Sequence, residues 1–371
     1  MNGDADVVIC GGGVIGLATA YYLGKRGVAV LVIEADSVAS GASGAAAGLL
    51  SQPSLEQLRG PQGALLQASF DAHLELAGQL PDESGVNYEF ARSGMLQVSL
   101  TEAEERADRQ RVEEERAAGM ATRWLEPAEA RELCGWIDLP IRGALLPPAN
   151  GQLDAYRFSL ALLAAAERMG AKFRTGRVSG IERVGDRLTG VYVAQELIPC
   201  RAAVFAMGPW MSEVAPWFGM RVPIAPLKGQ IVHVRTPGTA PRYGFVDHGG
   251  NYATPKASGL TYLGTTEEAV GFDSSPTRVA RDQILAFALS ASSVLGESEV
   301  LEQTACLRPL SADEQPIISA VDGLVGAFVG GGHGRKGVML APVTGQLLAQ
   351  LVLGDLPTFD LTPFALGRFG S

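Results

Sequence analysis

The chain is 371 residues long, enough for two lobes of ordinary domain size, and it is 47% hydrophobic against 19% charged, which excludes a disordered protein. Forty acidic residues against 30 basic ones leave a formal net charge of -10 and argue against nucleic acid or an anionic membrane as the main partner. An acidic substrate stays open, because a local cationic pocket can sit on an acidic protein.

In chain order, the acidic start MNGDAD does not read as a secretory signal. The apolar run Val7 to Cys10 then predicts a buried parallel strand, and glycines follow at once. Helical spacing runs from about Val14 to Arg26, and VAVLVIE predicts a second strand. Gly11, Gly13 and Gly16 form a G-x-G-x-x-G fingerprint in that strand–turn–helix context. The first glycine allows the tight turn, the second admits a pyrophosphate and the third permits close helix–strand packing. The helix N-terminus adds amides and partial positive charge for phosphate. Glu34 ends the second strand where a ribose hydroxyl needs an acceptor. The fingerprint points to a dinucleotide without separating NAD from FAD.

The segment SGASGAAAGLLSQ, Ser40 to Gln52, is almost all small residues, so backbone can approach a large planar ligand; a flexible linker has the same composition. RWLEPAEARELC reads as a capped helix after a proline, and DAYRFSLALLAAAERMGAKF as an amphipathic helix leading to a strand. KGQIVHVRT and GLTYLGTT have strand composition with turn residues between them. In ACLRPLSADEQPIIS, Arg308 stands between Leu307 and Pro309, and local sequence favours an ion pair with Asp313 or Glu314. VMLAPVTGQLLAQLVLG reads as a final helix, and no uninterrupted apolar stretch is long enough to span a bilayer. Cys10, Cys134, Cys200 and Cys306 are scattered, and the four histidines show no ligand spacing, so a reduced, cytoplasmic chain without a metal is expected.

Eight stretches, in their order, carry a resemblance over nearly the whole chain: GGGVIGLATAYYL, SGAAAGLL, ARSGMLQV, AVFAMGPW, PLKGQ, NYATPKASGLTYLGTT, CLRPLSADEQPII and GGGHGRKGVMLAPVTG. On these the sequence resembles the FAD-dependent flavoproteins related to D-amino acid oxidase and sarcosine oxidase, the glycine oxidase branch most of all. The resemblance implies an α/β protein: a Rossmann-type FAD-binding domain interleaved with an antiparallel-sheet α+β substrate domain. The first takes residues 1–85, 150–222 and 304–371; the second takes 86–149 and 223–303.

It also implies FAD-dependent oxidation of a small amino acid (glycine, sarcosine or a D-amino acid) by hydride transfer from the α-carbon to flavin N5. The imine then hydrolyses to a 2-oxo acid plus ammonia or amine, with hydrogen peroxide if oxygen is the acceptor. A 2-hydroxy-acid or secondary-amine dehydrogenase, or the flavin subunit of an electron-transfer complex, is the alternative; oligomeric state is open. In this pattern Arg308 clamps the substrate carboxylate, Tyr252 donates to the same carboxylate and Arg335 stands beside flavin and substrate. The FAD contacts fall on Gly11, Gly13, Val14, Ile15, Gly16, Glu34 and Ala35, and on Ser43, Gly44, Ala47, Gly48 and Leu49. Val178, Ala206, Gly208 and Trp210 follow, then Arg308, Gly332, Gly334, Arg335, Lys336, Gly337 and Val338.

This chain departs from the glycine oxidase pattern at several positions. Leu49 and Glu267 stand where that branch has pocket methionines, and Glu267 either selects a basic or larger amine or points to solvent. Tyr262 takes the place of the oxygen-activating lysine of sarcosine oxidase relatives, leaving oxidase against dehydrogenase open. Cys306 aligns with the cysteine that tethers flavin covalently in that branch, and a small buried thiol filling space is the other reading.

Overall fold

A computed structural model describes residues 5–370, so Met1–Asp4, part of the acidic start, and Ser371 lie outside the described residues. β1 (Val7–Cys10) is buried along its length, as expected of a strand covered on both faces. It lies inside a six-stranded sheet whose spatial order is Ile317–Ala320, Ala327–Gly331, Ala202–Phe205, β1, β2 (Val30–Glu34) and Lys172–Thr175. All pairs are parallel except the first. The side chains of β1 alternate between two cores: Val7 and Ile9 join the helices on one face, Val8 and Cys10 the cluster on the other.

On the helical face, α1 (Val14–Gly24) packs against the Ala155–Arg168 and Gly337–Leu353 helices. The contact with the last is so close that a Cβ on Gly345 would fall 2.6 Å from the Ala18 carbonyl carbon. The stretch Gly334–Leu353 has the length and composition of a bilayer span, which the sequence reading did not anticipate. The fold buries 61% of its apolar window, and Ser69 and His73 of the Gly63–Ser84 helix bond to the carbonyls of Met339 and Val338. A core helix explains the composition.

The second main sheet has eight strands in the order Glu299–Ser311, Ile224–Arg235, Thr261–Gly264, Tyr252–Pro255, Tyr243–Val246, Gly94–Ser99, Gly143–Leu146 and Arg123–Leu125. It is antiparallel apart from one parallel pair, Tyr243–Val246 with Gly94–Ser99. Helices Glu102–Ala117, Pro127–Leu133 and Arg278–Ala291 accompany it, and a separate core lies beneath. Its longest pairing joins Ile224–Arg235 to Glu299–Ser311, a ribbon that reaches the first sheet through a bridge between Leu310 and His333. The Glu299–Ser311 strand runs unbroken through residue 304, where the expected domain boundary lies.

Local expectations differ from the structure mainly at ends. RWLEPAEARELC divides into the Arg123–Leu125 strand and the Pro127–Leu133 helix, which no side chain caps because Glu126 occupies the N-cap. The Ala155–Arg168 helix is capped by Asp154, whose carboxylate accepts from the Arg157 amide.

Candidate active site

Between the two sheets lies a cavity of about 810 Å³. One end sits where β1 and β2 finish and α1 begins. Gly11, at φ 118°, passes so close to the next strand that a Cβ there would lie 2.3 Å from the Ala206 oxygen. Gly13 occupies the N-cap of α1 with no side-chain cap, and Ser43 Oγ accepts from the Val14 amide at 2.9 Å. Glu34 accepts from the amides of Gly12 (2.6 Å) and Asp36 (3.0 Å), which fixes its carboxylate at the strand end. A helix N-terminus with no cap from its own N-cap residue, a glycine cradle and a fixed acceptor suit the pyrophosphate and ribose of a dinucleotide.

The middle of the cavity is walled by the small-residue segment. Gly48, at φ 69°, has no room for a Cβ, which would meet the Leu153 oxygen at 2.0 Å. Lys256 reaches under this segment from the second sheet and donates to the carbonyls of Ala47 and Leu153, both at 2.9 Å. Burial pushes its ammonium pKa down to about 8. At the mouth, Trp210 stacks on Phe272 with ring centres 5.9 Å apart.

The other end belongs to Arg308. Its guanidinium donates to the Thr266 carbonyl at 3.1 Å and to Thr265 Oγ1 at 2.9 Å, and Asp313 pairs instead with Arg368. Space for it exists because position 229 on the facing strand is glycine: a Cβ there would lie 2.1 Å from the guanidinium carbon. Gly264 makes similar room for Tyr252, whose hydroxyl would be 2.6 Å from a Cβ. Burial pushes the Tyr252 phenol upward, outweighing the pull of Arg308 and Arg335, so it is a neutral donor at physiological pH. Glu267 does not simply face solvent: its Oε1 lies 3.3 Å from Arg335 Nη1 and 4.0 Å from Arg308 Nη1.

The residues expected at the site converge here for the most part. Gly11, Gly13, Val14, Ile15, Glu34, Ala35, Ser43, Ala47, Gly48, Leu49, Val178, Ala206, Gly208 and Trp210 line the cavity, as do Tyr252, Cys306, Arg308, Gly334, Arg335, Gly337 and Val338. Gly16, Gly44, Gly332 and Lys336 do not. Gly16 is packed on the Gly11 carbonyl and Gly44 on that of Ala39, Gly332 lies beside Ser311, and Lys336 donates to Gln62. Cys306 is buried, and burial raises its thiol pKa against the opposing pull of Arg308. His333 also lines the cavity; Nε2 meets Thr344 Oγ1 at 3.0 Å, while Nδ1 has no partner among the described residues. Burial pushes its pKa down to about 3, so the ring is neutral.

Sequence reasoning missed Ile231, Thr265, Thr266 and Phe272. Thr265 and Thr266 lie inside a stretch that carries the resemblance, but only the three-dimensional path of the loop after Gly264 shows that they hold Arg308. No group of three metal-ligating side chains is found among the described residues.

A family model described as FAD dependent oxidoreductase matches residues 6–351. The glycine oxidase of Geobacillus kaustophilus strain HTA426 is 31% identical over 98% of this chain and 97% of its own length. Hydrogen cyanide synthase subunit HcnC of Pseudomonas aeruginosa is 30% identical over 100% and 97%. Among solved structures, glycine oxidase from Geobacillus kaustophilus matches with a TM-score of 0.93 at 29% identity, covering 98% of this chain and 99% of that one. Iminodiacetate oxidase from Chelativorans sp. BNC1 matches with 0.88 at 25% identity, covering 97% and 98%.

Proposed function

The chain belongs to the FAD dependent oxidoreductase family, and from that premise we propose that it oxidises a small amino acid such as glycine, sarcosine or a D-amino acid. The observation that carries this reading is Arg308, its side chain only 12% exposed, at one end of the cavity whose other end suits a dinucleotide. Two protein acceptors occupy part of its fork, and a guanidinium has five N–H donors, so a substrate carboxylate can still be gripped by two parallel bonds. Tyr252, neutral and buried, donates a third. Bound at the other end of the cavity, FAD would supply the hydride acceptor for the α-carbon.

The protein's part in that reaction is orientation and exclusion of water. Anchoring the carboxylate at Arg308 fixes which face of the α-carbon is presented, and a bound amine in its neutral form needs no dedicated base. The stacked Trp210 and Phe272 limit solvent at the mouth. The imine product leaves and hydrolyses to a 2-oxo acid and ammonia or amine, and oxygen is the proposed acceptor. The same reading divides the chain into a flavin domain around the six-stranded sheet and a substrate domain around the eight-stranded one. A cytoplasmic location is part of the same proposal, and four unpaired, buried cysteines support it.

The test is anaerobic. The flavin spectrum of the purified protein is recorded while glycine, sarcosine, D-amino acids and 2-hydroxy acids are added, and air is then readmitted. Bleaching by an amino acid, with colour and peroxide returning in air, is the expected outcome. Bleaching by 2-hydroxy acids alone, or by nothing in the panel, overturns the proposal.

A further inference from the structure

The Arg308 end of the cavity continues past Arg335 and Thr265, which also line a second, outer hollow of about 620 Å³. Two carboxylates stand in the outer wall. Glu268 is engaged within the protein, accepting from Thr266 Oγ1 and Gln230 Nε2. Among the described residues Glu267 accepts no hydrogen bond of that kind, and its partners there are the two guanidiniums, Arg335 at 3.3 Å and Arg308 at 4.0 Å. The junction therefore holds two guanidiniums and one carboxylate.

A substrate with one carboxylate brings the second negative charge and balances the set. A second substrate carboxylate, directed outward toward Arg335, meets a guanidinium already paired, with Glu267 beside it. We propose that Glu267 is a specificity-determining residue acting through Arg335: by pairing with that guanidinium it restricts the site to amino acids with a single carboxylate and disfavours dicarboxylic ones. This deepens the amino-acid reading above and rests on it for the role of Arg308. Because Arg335 and Glu267 are 56% and 44% exposed, solvent weakens the effect, and the discrimination is modest and sensitive to salt.

Glu267→Gln removes the charge while keeping size and a hydrogen-bonding oxygen. Acetate and malonate are titrated into flavin-loaded wild type, Glu267→Gln and Glu267→Asp, with dissociation constants read from the flavin absorbance change. Turnover of glycine is compared with that of iminodiacetate. The expected result is that Glu267→Gln shifts the malonate-to-acetate preference, and the kcat/KM ratio, about two- to fivefold toward the dicarboxylate, the scale of a partly exposed charge pair. Glu267→Asp should restore most of the discrimination, and added salt should reduce it in the wild type. Equal shifts for mono- and dicarboxylates, or wild-type discrimination that is indifferent to salt, overturn the proposal. The binding arm needs no turnover, so it decides the role of Glu267 even if no amino acid reduces the flavin.

Discussion

Arg308 shows how far one side chain can be read before its neighbours are known. Local sequence offered Asp313 and Glu314 as partners, five and six positions away. In the fold Asp313 belongs to Arg368, and the guanidinium is held by Thr265 and Thr266, more than forty positions earlier in the chain. The resemblance singled out this arginine, which lines the cavity; its supports were not legible, because they depend on how a loop crosses a strand. Arg308→Ala should leave flavin content intact and cost about 2–5 kcal/mol of substrate interaction, the range for losing one partner of a buried charge pair. Steady-state kcat/KM beside the flavin absorbance ratio checks this, and near-normal turnover at low substrate contradicts it. Cys306 poses the opposite case. Attack on a flavin ring requires the thiolate, and burial holds this thiol in its neutral form. Acid precipitation should therefore release the yellow colour into the supernatant; colour retained in the pellet would establish a covalent link.

At the scale of elements, strand register places the clamp. In the ribbon, Gly229 lies opposite Cys306, and Leu227 opposite Arg308. Next along, Gly264 faces both Ile231 and Tyr252 across its two neighbouring strands. Side chains alternate along a strand, so a glycine two residues from the arginine's partner opens a slot on the same face. A methyl group on Gly229 would overlap the guanidinium, which is fixed at its tip and cannot swing away without breaking both threonine contacts. Gly229→Ala is thus expected to raise KM at least tenfold, the equivalent of about 1.4 kcal/mol, while circular dichroism and flavin content change little. An unchanged KM would mean that Arg308 relaxes freely. The strand–turn–helix at the N-terminus was legible, since glycine spacing and apolar runs are local signals. The eight-stranded sheet was not, because it pairs residues 94–99 with 243–246 in parallel, and periodicity carries no information about such distant partners.

For the whole molecule, the question is what keeps the two sheets closed on the cavity. Lys256 is one tie: it follows the Tyr252–Pro255 strand, crosses to the Ala47 and Leu153 carbonyls, and lies over the Tyr262 ring at 5.3 Å. Burial lowers its pKa from 10.5 to about 8, with Asp154 and Glu89 opposing the shift. The sign of the resulting pH dependence follows from proton counting. Below pH 8 the group is charged in both folded and unfolded chains, and the desolvation cost is fully present. Between that value and 10.5 the folded protein has released the proton while the unfolded chain retains it, so stability rises with pH. The gain attributable to Lys256 across this window is about 3 kcal/mol. Tyr21, Tyr88 and Tyr252, all buried, and the partly buried Tyr22 have raised pKa values and act in the opposite direction at higher pH, so the wild type alone cannot isolate the lysine. Comparison with Lys256→Met does, because the tyrosine contribution is common to both. Urea unfolding of the flavin-loaded proteins from pH 7.5 to 10 should give a stability difference that moves in favour of the wild type as pH rises. Parallel pH profiles would show that Lys256 stays protonated in the fold and ties the sheets together as an ordinary cation.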